Sequence, residues 1–192
     1  MIPVATSTPA IERHRFSVED YHFLAEHGLF APDERVELIY GELHLMQPLG
    51  PDHSSHTSSF IDTIRPKCPP TLALRLEQPV VIPPDSEPQP DLAVVRRRAD
   101  YYKSAHPQPA AVLLIVEVAD SSVAFDTGGK ARLYAQAGIP EYWVLDLPAQ
   151  SVRIFREPGD DGYKVMEVLA RGETAACGTV PELVFEVGEL LL

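Results

Sequence analysis

The chain has 192 residues, which is enough for one domain with a hydrophobic core and short for two. Apolar residues make up 45% of it and charged residues 23%, a globular composition that excludes wholesale disorder. The formal net charge of −12 excludes a protein that coats DNA through its bulk charge, because an acidic surface repels a polyanion.

The N-terminal part predicts an arm, a helix and a hairpin. Residues 1–15 mix Pro, Thr, Ser and charged residues without a period, as a flexible arm does, and we expect a single domain over 16–192. Ser17 can cap a first helix, with an acid three residues later close to the position of a capping box. The alternating segment 35–46 then predicts a β-hairpin that turns at Tyr-Gly-Glu.

The middle of the chain predicts a second helix and two strands. The segment 51–64 predicts a helix that starts near Asp52 or Ser54 and ends before a run of prolines. Two short extended runs follow, and 88–98 predicts a strand with three arginines at its end. The run 110–120 is apolar except for one acid, which is typical of a central strand covered on both faces.

The remaining elements complete an α/β pattern. A helix is predicted over 128–138, a strand over 141–147 and a hairpin over 151–169. The closing segment 181–192 is apolar enough to cover the core or a partner. The order of strand, strand, helix and strand predicts a mixed β-sheet flanked by helices in one domain.

The spacing of the cysteines and the hydropathy of the chain indicate the cellular compartment. Cys68 and Cys177 lie far apart and form no CxxC motif, so neither a disulfide framework nor a zinc site is indicated. The first fifteen residues lack the apolar run of a signal peptide, and no stretch approaches the roughly 18 to 20 apolar residues that a membrane span needs. We expect a cytoplasmic protein with no membrane segment.

The acid within the apolar strand is the first candidate for chemistry. A buried carboxylate loses hydration unless a cation or hydrogen bonds replace the water, so Glu117 needs a partner. Asp91 begins the preceding predicted strand, and the two strands can lie side by side, with their carboxylates converging, if the segment between them crosses over. Such a pair repels, and a divalent cation is the simplest way to relieve the repulsion.

A lysine and a third acid complete the hypothesis. Lys130 follows Glu117 by 13 residues on a helix that must pack back against the sheet, so its ammonium can reach the same point. A metal ion and a lysine suit phosphodiester hydrolysis, because both stabilise negative charge that develops on the phosphate. Glu37, on the first arm of the hairpin, can supply the third acid.

The segments 87–95, 113–122 and 125–147, read as EPQPDLAVV, LLIVEVADSS and FDTGGKARLYAQAGIPEYWVLDL, resemble the Uma-type family of restriction-endonuclease-like proteins in the PD-(D/E)XK nuclease superfamily. The similarity runs over about 16–155 and includes RVELIYGEL and MQPLGPDH. It implies a restriction-endonuclease-like fold that binds Mg²⁺ or Mn²⁺ and acts on DNA.

The resemblance also implies roles for single residues. Asp91 and Glu117 correspond to metal ligands, Lys130 to the catalytic lysine and Glu37 to an auxiliary acid. The superfamily lysine expected two residues after the second acid is Ala119 here, so Lys130 stands for it as a displaced lysine.

Several other residues have a structural as well as a functional interpretation. His53 is a candidate for supporting a metal ligand or contacting phosphate, while His56 is expected to be structural. Arg96, Arg97 and Arg98 can contact phosphate, although charges at a strand end are usually only solvated. Tyr142 and Trp143, two neighbouring aromatics, are expected in the core rather than as a base-stacking platform.

The leading hypothesis is a Mg²⁺- or Mn²⁺-dependent endonuclease that hydrolyses DNA. The alternative is a catalytically silent nuclease-like domain that binds nucleic acid or protein, which the acidic charge and Ala119 favour. The oligomeric state stays open; a homodimer would suit hydrolysis of both duplex strands, with 183–192 as a candidate interface.

Overall fold

The computed structural model describes residues 13–46 and 50–192. Residues 1–12 of the predicted arm lie outside the described residues, and so do residues 47–49 of the segment that carries part of the family resemblance. Among the described residues, no helix has both the length and the apolar character that crossing a membrane requires.

The N-terminal helix and hairpin form as their sequences predict. Helix α1, Val18–Glu26, starts at a capping box in which the Ser17 hydroxyl accepts from the Asp20 N–H and the Asp20 carboxylate accepts from the Ser17 N–H. Strands β1, Val36–Ile39, and β2, Glu42–Leu45, form the hairpin. Its turn residues Tyr40 and Gly41 have φ values of 50° and 72°, the left-handed pair that a two-residue hairpin loop needs.

Six strands form the main sheet in chain order. They are β3, Leu72–Leu76; β4, Leu92–Arg96; β5, Val112–Ala119; β6, Glu141–Asp146; β7, Ser151–Arg156; and β8, Val165–Ala170. Only β5 and β6 run parallel, because a helical crossover connects them, and the other neighbours are antiparallel. The mixed sheet and the central position of β5 are confirmed.

Helices cover both faces of this sheet. Helix α2, Pro51–Ile64, packs on the face that carries Val116 and Val118, and we call this side core 1. The crossover consists of α3, Val123–Phe125, a π-helical turn over Asp126–Lys130 and α4, Ala131–Gln136. It packs on the other face of β5, with Ile115 and Ala119, which we call core 2.

The C-terminal segment closes core 1. It forms β9, Thr174–Ala176; β10, Val184–Glu186; and the short α5, Val187–Leu190. Leu183, Phe185, Val187, Leu190 and Leu191 are buried in core 1. The segment 183–192 therefore covers its own core, and the expectation of an interface there is wrong for these side chains.

One of the two extended runs predicted before β4 is a strand and the other is not. The first run is β3, an edge of the sheet. The second, 79–83, forms only an isolated bridge between Ile82 and Ser86. Pro79 and Pro83 lie in this run and Pro84 follows it, and a proline has no N–H to donate to a strand ladder.

A buried acid at the start of β6 is structural. Glu141 is 1% exposed, and its carboxylate accepts from the Trp143 indole, from Arg156 and from the backbone N–H groups of Gly178 and Thr179. These donors satisfy both oxygens, so the charge is compensated within the fold. Glu141 thus fixes the loop after β9 to the sheet.

Replacing Glu141 by Ala should lower the free energy of unfolding by about 3 kcal/mol, because the Trp143 indole N–H and Arg156 lose their acceptor. Urea unfolding followed by tryptophan fluorescence measures the change. Glu167→Ala is the matched control, since it removes the exposed partner of Arg156 and should cost less than about 1 kcal/mol. Equal effects of the two changes would contradict the structural role of Glu141.

Candidate functional site

A cleft of about 470 Å³ opens at one end of the main sheet. Its walls come from the β1–β2 hairpin, the start of α2, the residues around the start of β4, the end of β5 and the crossover. Five of the candidate residues of the sequence lie on it, namely Glu37, His53, Asp91, Glu117 and Lys130.

The register of β4 and β5 brings the two acids together. Leu92 pairs with Val116 in an antiparallel ladder, so Asp91 lies opposite Glu117 on the same face. The Val118 N–H donates to Asp91 Oδ2 at 2.6 Å, and the Asp91 N–H lies 3.4 Å from Glu117 Oε2. The strands are side by side as expected, and their antiparallel pairing needs no crossover between them.

Lys130 delivers its ammonium to this pair from the π-helical turn. Its Nζ lies 3.1 Å from Glu117 Oε1 and 3.2 Å from Glu37 Oε2. All three side chains are buried, and none of them is more than 6% exposed. A π-helical turn inserts one extra residue into a helix, and such turns recur at functional sites because they redirect a side chain.

Two residues that the sequence interpretation missed belong to this cluster. The Tyr134 hydroxyl donates to Glu117 Oε1 at 3.0 Å from one helical turn beyond Lys130. Asp126, four residues before Lys130, is 3% exposed and accepts from the Ser122 hydroxyl at 2.5 Å. The spacing of four residues on either side of Lys130 is the signal that could have found both.

The two histidines separate as expected. His53 Nε2 lies 3.2 Å from Asp91 Oδ1, and this hydrogen bond raises the pKa of His53 despite partial burial. His56 donates from Nδ1 to the Asp52 carbonyl within α2 and does not line the cleft. His53 therefore orients an acid of the cluster, whereas His56 belongs to the helix.

The remaining candidates lie away from the cleft. Arg96, Arg97 and Arg98 are exposed at the opposite end of β4. Tyr142 and Trp143 are completely buried, which confirms their expected place in the core. Ala119 is also completely buried, within core 2.

The cluster carries more negative than positive charge. Burial raises the pKa of Glu117 well above its usual value, Lys130 opposes this rise, and the Asp91 carboxylate adds to it. Burial alone would lower the pKa of Lys130, but Glu117 and Glu37 outweigh it and raise that pKa. Lys130 is thus a cation, while the four acids around it leave a negative charge that a bound cation or a proton would neutralise.

Glu117→Gln should change how stability depends on pH. Because folding raises the Glu117 pKa, stability that is fully present below the unfolded value of about 4.3 is lost as the pH rises through the folded pKa. In metal-free buffer the melting temperature of the wild type should therefore fall relative to Glu117→Gln from about pH 4 upward. Thermal melts followed by circular dichroism at several pH values test this.

The exposed acid Glu182 provides the control for that experiment. The melting curve of Glu182→Gln should follow the wild type across the same pH range. Parallel pH profiles of the wild type and Glu117→Gln would show that Glu117 ionises in the fold as readily as in the unfolded chain.

Comparisons with known proteins agree with this architecture. The chain is similar to the crystal structure of a putative nuclease belonging to DUF820 from Anabaena variabilis, with a TM-score of 0.66 and 15% identity over 91% of this chain and 97% of that one. At this identity the likeness shows the fold. No curated protein matches. The Uma2 model, described as "Putative restriction endonuclease", matches residues 18–188, and the chain therefore belongs to the Uma2 family.

Proposed function

We propose that this protein is a metal-dependent endonuclease that hydrolyses phosphodiester bonds of DNA. Asp91 and Glu117 would hold Mg²⁺ or Mn²⁺, with Lys130 as the catalytic cation and Glu37 as an auxiliary acid. The observation that carries the proposal is the convergence of these four groups from three distant segments on one wall of an open cleft. Membership of a family described as restriction endonucleases supports the same activity.

The donor set fits a hard divalent cation. Carboxylate oxygens of Asp91 and Glu117 adjoin at the cleft, and their charge exceeds what Lys130 can neutralise. Among the described residues, no group of three or more acidic, histidine or cysteine side chains is already arranged around one point. Mg²⁺ is usually held by one or two carboxylates together with water and substrate phosphate, and Asp91 and Glu117 offer two carboxylates.

The residues of the chain have distinct tasks in this proposal. A bound cation supplies Lewis acidity toward a phosphate oxygen and lowers the pKa of water. Lys130, held in place by Glu117 and Glu37, directs a fixed positive charge at the phosphate without reorganising during the reaction. His53 holds one oxygen of Asp91 while the Val118 N–H holds the other, so this acid keeps its orientation.

The alternative is a catalytically silent domain that binds nucleic acid or protein. It is favoured by Ala119, which is enclosed in core 2 and leaves no lysine at the usual superfamily position. The two functions differ in whether the bound metal supports cleavage, and the variants below separate them.

A homodimer stays a prediction of this proposal, because a two-fold pair of sites would let both strands of a duplex be cut. The side chains of Leu183, Phe185, Val187, Leu190 and Leu191 are buried in core 1 and do not provide its surface. The molar mass in solution, measured by light scattering with and without a DNA duplex, tests it.

Millimolar Mg²⁺ or Mn²⁺ should raise the melting temperature, because the ions bind the folded acid pair and have little affinity for the unfolded chain. At 100 times the dissociation constant the gain is roughly 2.7 kcal/mol. Asp91→Asn should remove this gain, whereas Asp62→Asn, a change of an exposed acid on α2, should retain it. A wild-type melting temperature that is insensitive to both ions would rule out the site.

Lys130→Met should abolish Mn²⁺-dependent cleavage of plasmid and oligonucleotide DNA while leaving the metal-induced rise in melting temperature intact or larger, because a neighbouring cation is removed. Arg132→Met removes a positive charge from an exposed position on the same helix and should cleave like the wild type. Cleavage by Lys130→Met at the wild-type rate would remove this lysine from the mechanism. Metal binding by a wild type that cleaves none of these substrates would favour the silent domain.

A further inference from the structure

A second pocket, of about 240 Å³, lies beside the edge of the sheet formed by β3 and β4. Arginines and tyrosines dominate its lining, namely Arg75, Arg97, Arg98, Tyr101 and Tyr102. No acidic side chain lines it, although the protein as a whole has a net charge of −12. We call it the arginine pocket.

Arg75 is the buried centre of the arginine pocket. The residue is 9% exposed, and its Nη2 lies 3.1 Å from His106 Nδ1. A guanidinium only donates hydrogen bonds, so His106 Nδ1 is the acceptor of this one. The Arg75 Nε has no hydrogen-bond partner among the described residues, and no carboxylate there lies within salt-bridge distance of the guanidinium.

A second guanidinium shares the same aromatic ring. Arg75 Cζ lies 5.1 Å and Arg98 Cζ 4.9 Å from the centroid of Tyr102. Arg98 is paired with Asp100 at 2.6 Å, but Arg75 has no such compensation. Tyr102 and His106 hold the Arg75 guanidinium, but no carboxylate among the described residues balances its charge, and an anion in the pocket would supply that balance.

Tyr101 gives the pocket an exposed aromatic face. Its side chain is among the most exposed of the large hydrophobic residues, at 75%. Both Tyr101 and Tyr102 have left-handed backbones, with φ values of 52° and 61°, and the Asp100 carboxylate holds this turn by accepting from the Tyr102 N–H. The turn thereby places a solvent-exposed ring next to a cluster of arginines.

We infer that the arginine pocket binds a phosphate of a nucleic-acid strand while Tyr101 stacks on an adjacent unpaired base. Guanidinium groups match phosphate oxygens in bidentate geometry, and aromatic rings beside a basic groove are the means by which proteins hold single strands. A nucleic-acid strand is favoured over a free phosphate ion as the ligand, because a phosphate ion would make no contact with the exposed Tyr101 ring.

The position of the pocket gives it a role in the proposed reaction. Arg75 pairs with Ala93, which places it on the sheet face that carries Glu117. Arg75 lies beside Ala93 and Arg97 follows β4, so these two arginines of the pocket lie about 7 and 20 Å along the strand from Asp91. This equals about two to six stacked nucleotides. The role as a subsite for a flanking segment of the substrate rests on the proposed nuclease function, whereas binding of the strand does not.

Binding of fluorescein-labelled (dT)12, followed by anisotropy in EDTA, tests the pocket without cleavage. Tyr101→Ala should weaken binding about tenfold, the effect of losing one stacked base. Arg98→Gln should reduce the slope of log K against log salt by about 0.7, the value for one phosphate contact on a single strand. Arg65 is an exposed arginine at the end of α2, on the other side of the sheet. Arg65→Gln is the control, and it should change the affinity and the salt slope less than the two pocket variants do.

The outcomes separate this inference from the proposed function. Unchanged affinity and salt slope in both pocket variants, or no binding of (dT)12 by the wild type, would overturn the pocket even if the protein cleaves DNA with Mn²⁺. Loss of binding in Tyr101→Ala supports the pocket even if no DNA is cleaved. Competition by millimolar inorganic phosphate with no effect of Tyr101→Ala would assign the pocket to a free anion and overturn the strand assignment.

Discussion

The contact between Glu117 and Lys130 is the constraint on which the arrangement of the site depends. An ionised carboxylate in the central strand must find a cation in the interior, and Lys130 supplies it only because the crossover from β5 to β6 returns over the same face. Removing two charges from water costs several kcal/mol for each, so such a pair is weak evidence for stability. On the proposed function, the charge of Lys130 serves the substrate phosphate rather than the stability of the sheet.

Two of the buried acids of the sheet, Glu141 and Glu117, differ in the donors around their carboxylates. Glu141 accepts from an indole, an arginine and two backbone N–H groups, so its charge is satisfied within the fold. Glu117 accepts at short range only from Lys130 and Tyr134, and other acids surround it. Both lie in apolar strands of the sequence. The difference is therefore in the donors that surround them, which are supplied by distant segments.

Local patterns account for what the sequence predicts correctly. The capping box at Ser17, the turn at Gly41 and the apolar run around Glu117 are each determined by neighbours in the chain, and each forms as expected. The run 79–83 fails as a strand because its prolines remove ladder donors. Tyr134 and Asp126 were missed although each lies four residues from Lys130, because their approach to Glu117 depends on how the crossover packs against β5.

The distribution of charge resolves how an acidic protein can engage a polyanion. The carboxylates of the cleft gather where a divalent cation would reverse the sign of the local potential, and the arginine pocket lies farther along the same strand, β4. Because salt screens charges beyond about 8 Å at physiological ionic strength, a strand in contact with the protein is governed by these local groups more than by the net charge of −12. On the proposed function, the bulk charge acts against nonspecific coating of DNA, while a strand that reaches both the cleft and the arginine pocket would be retained.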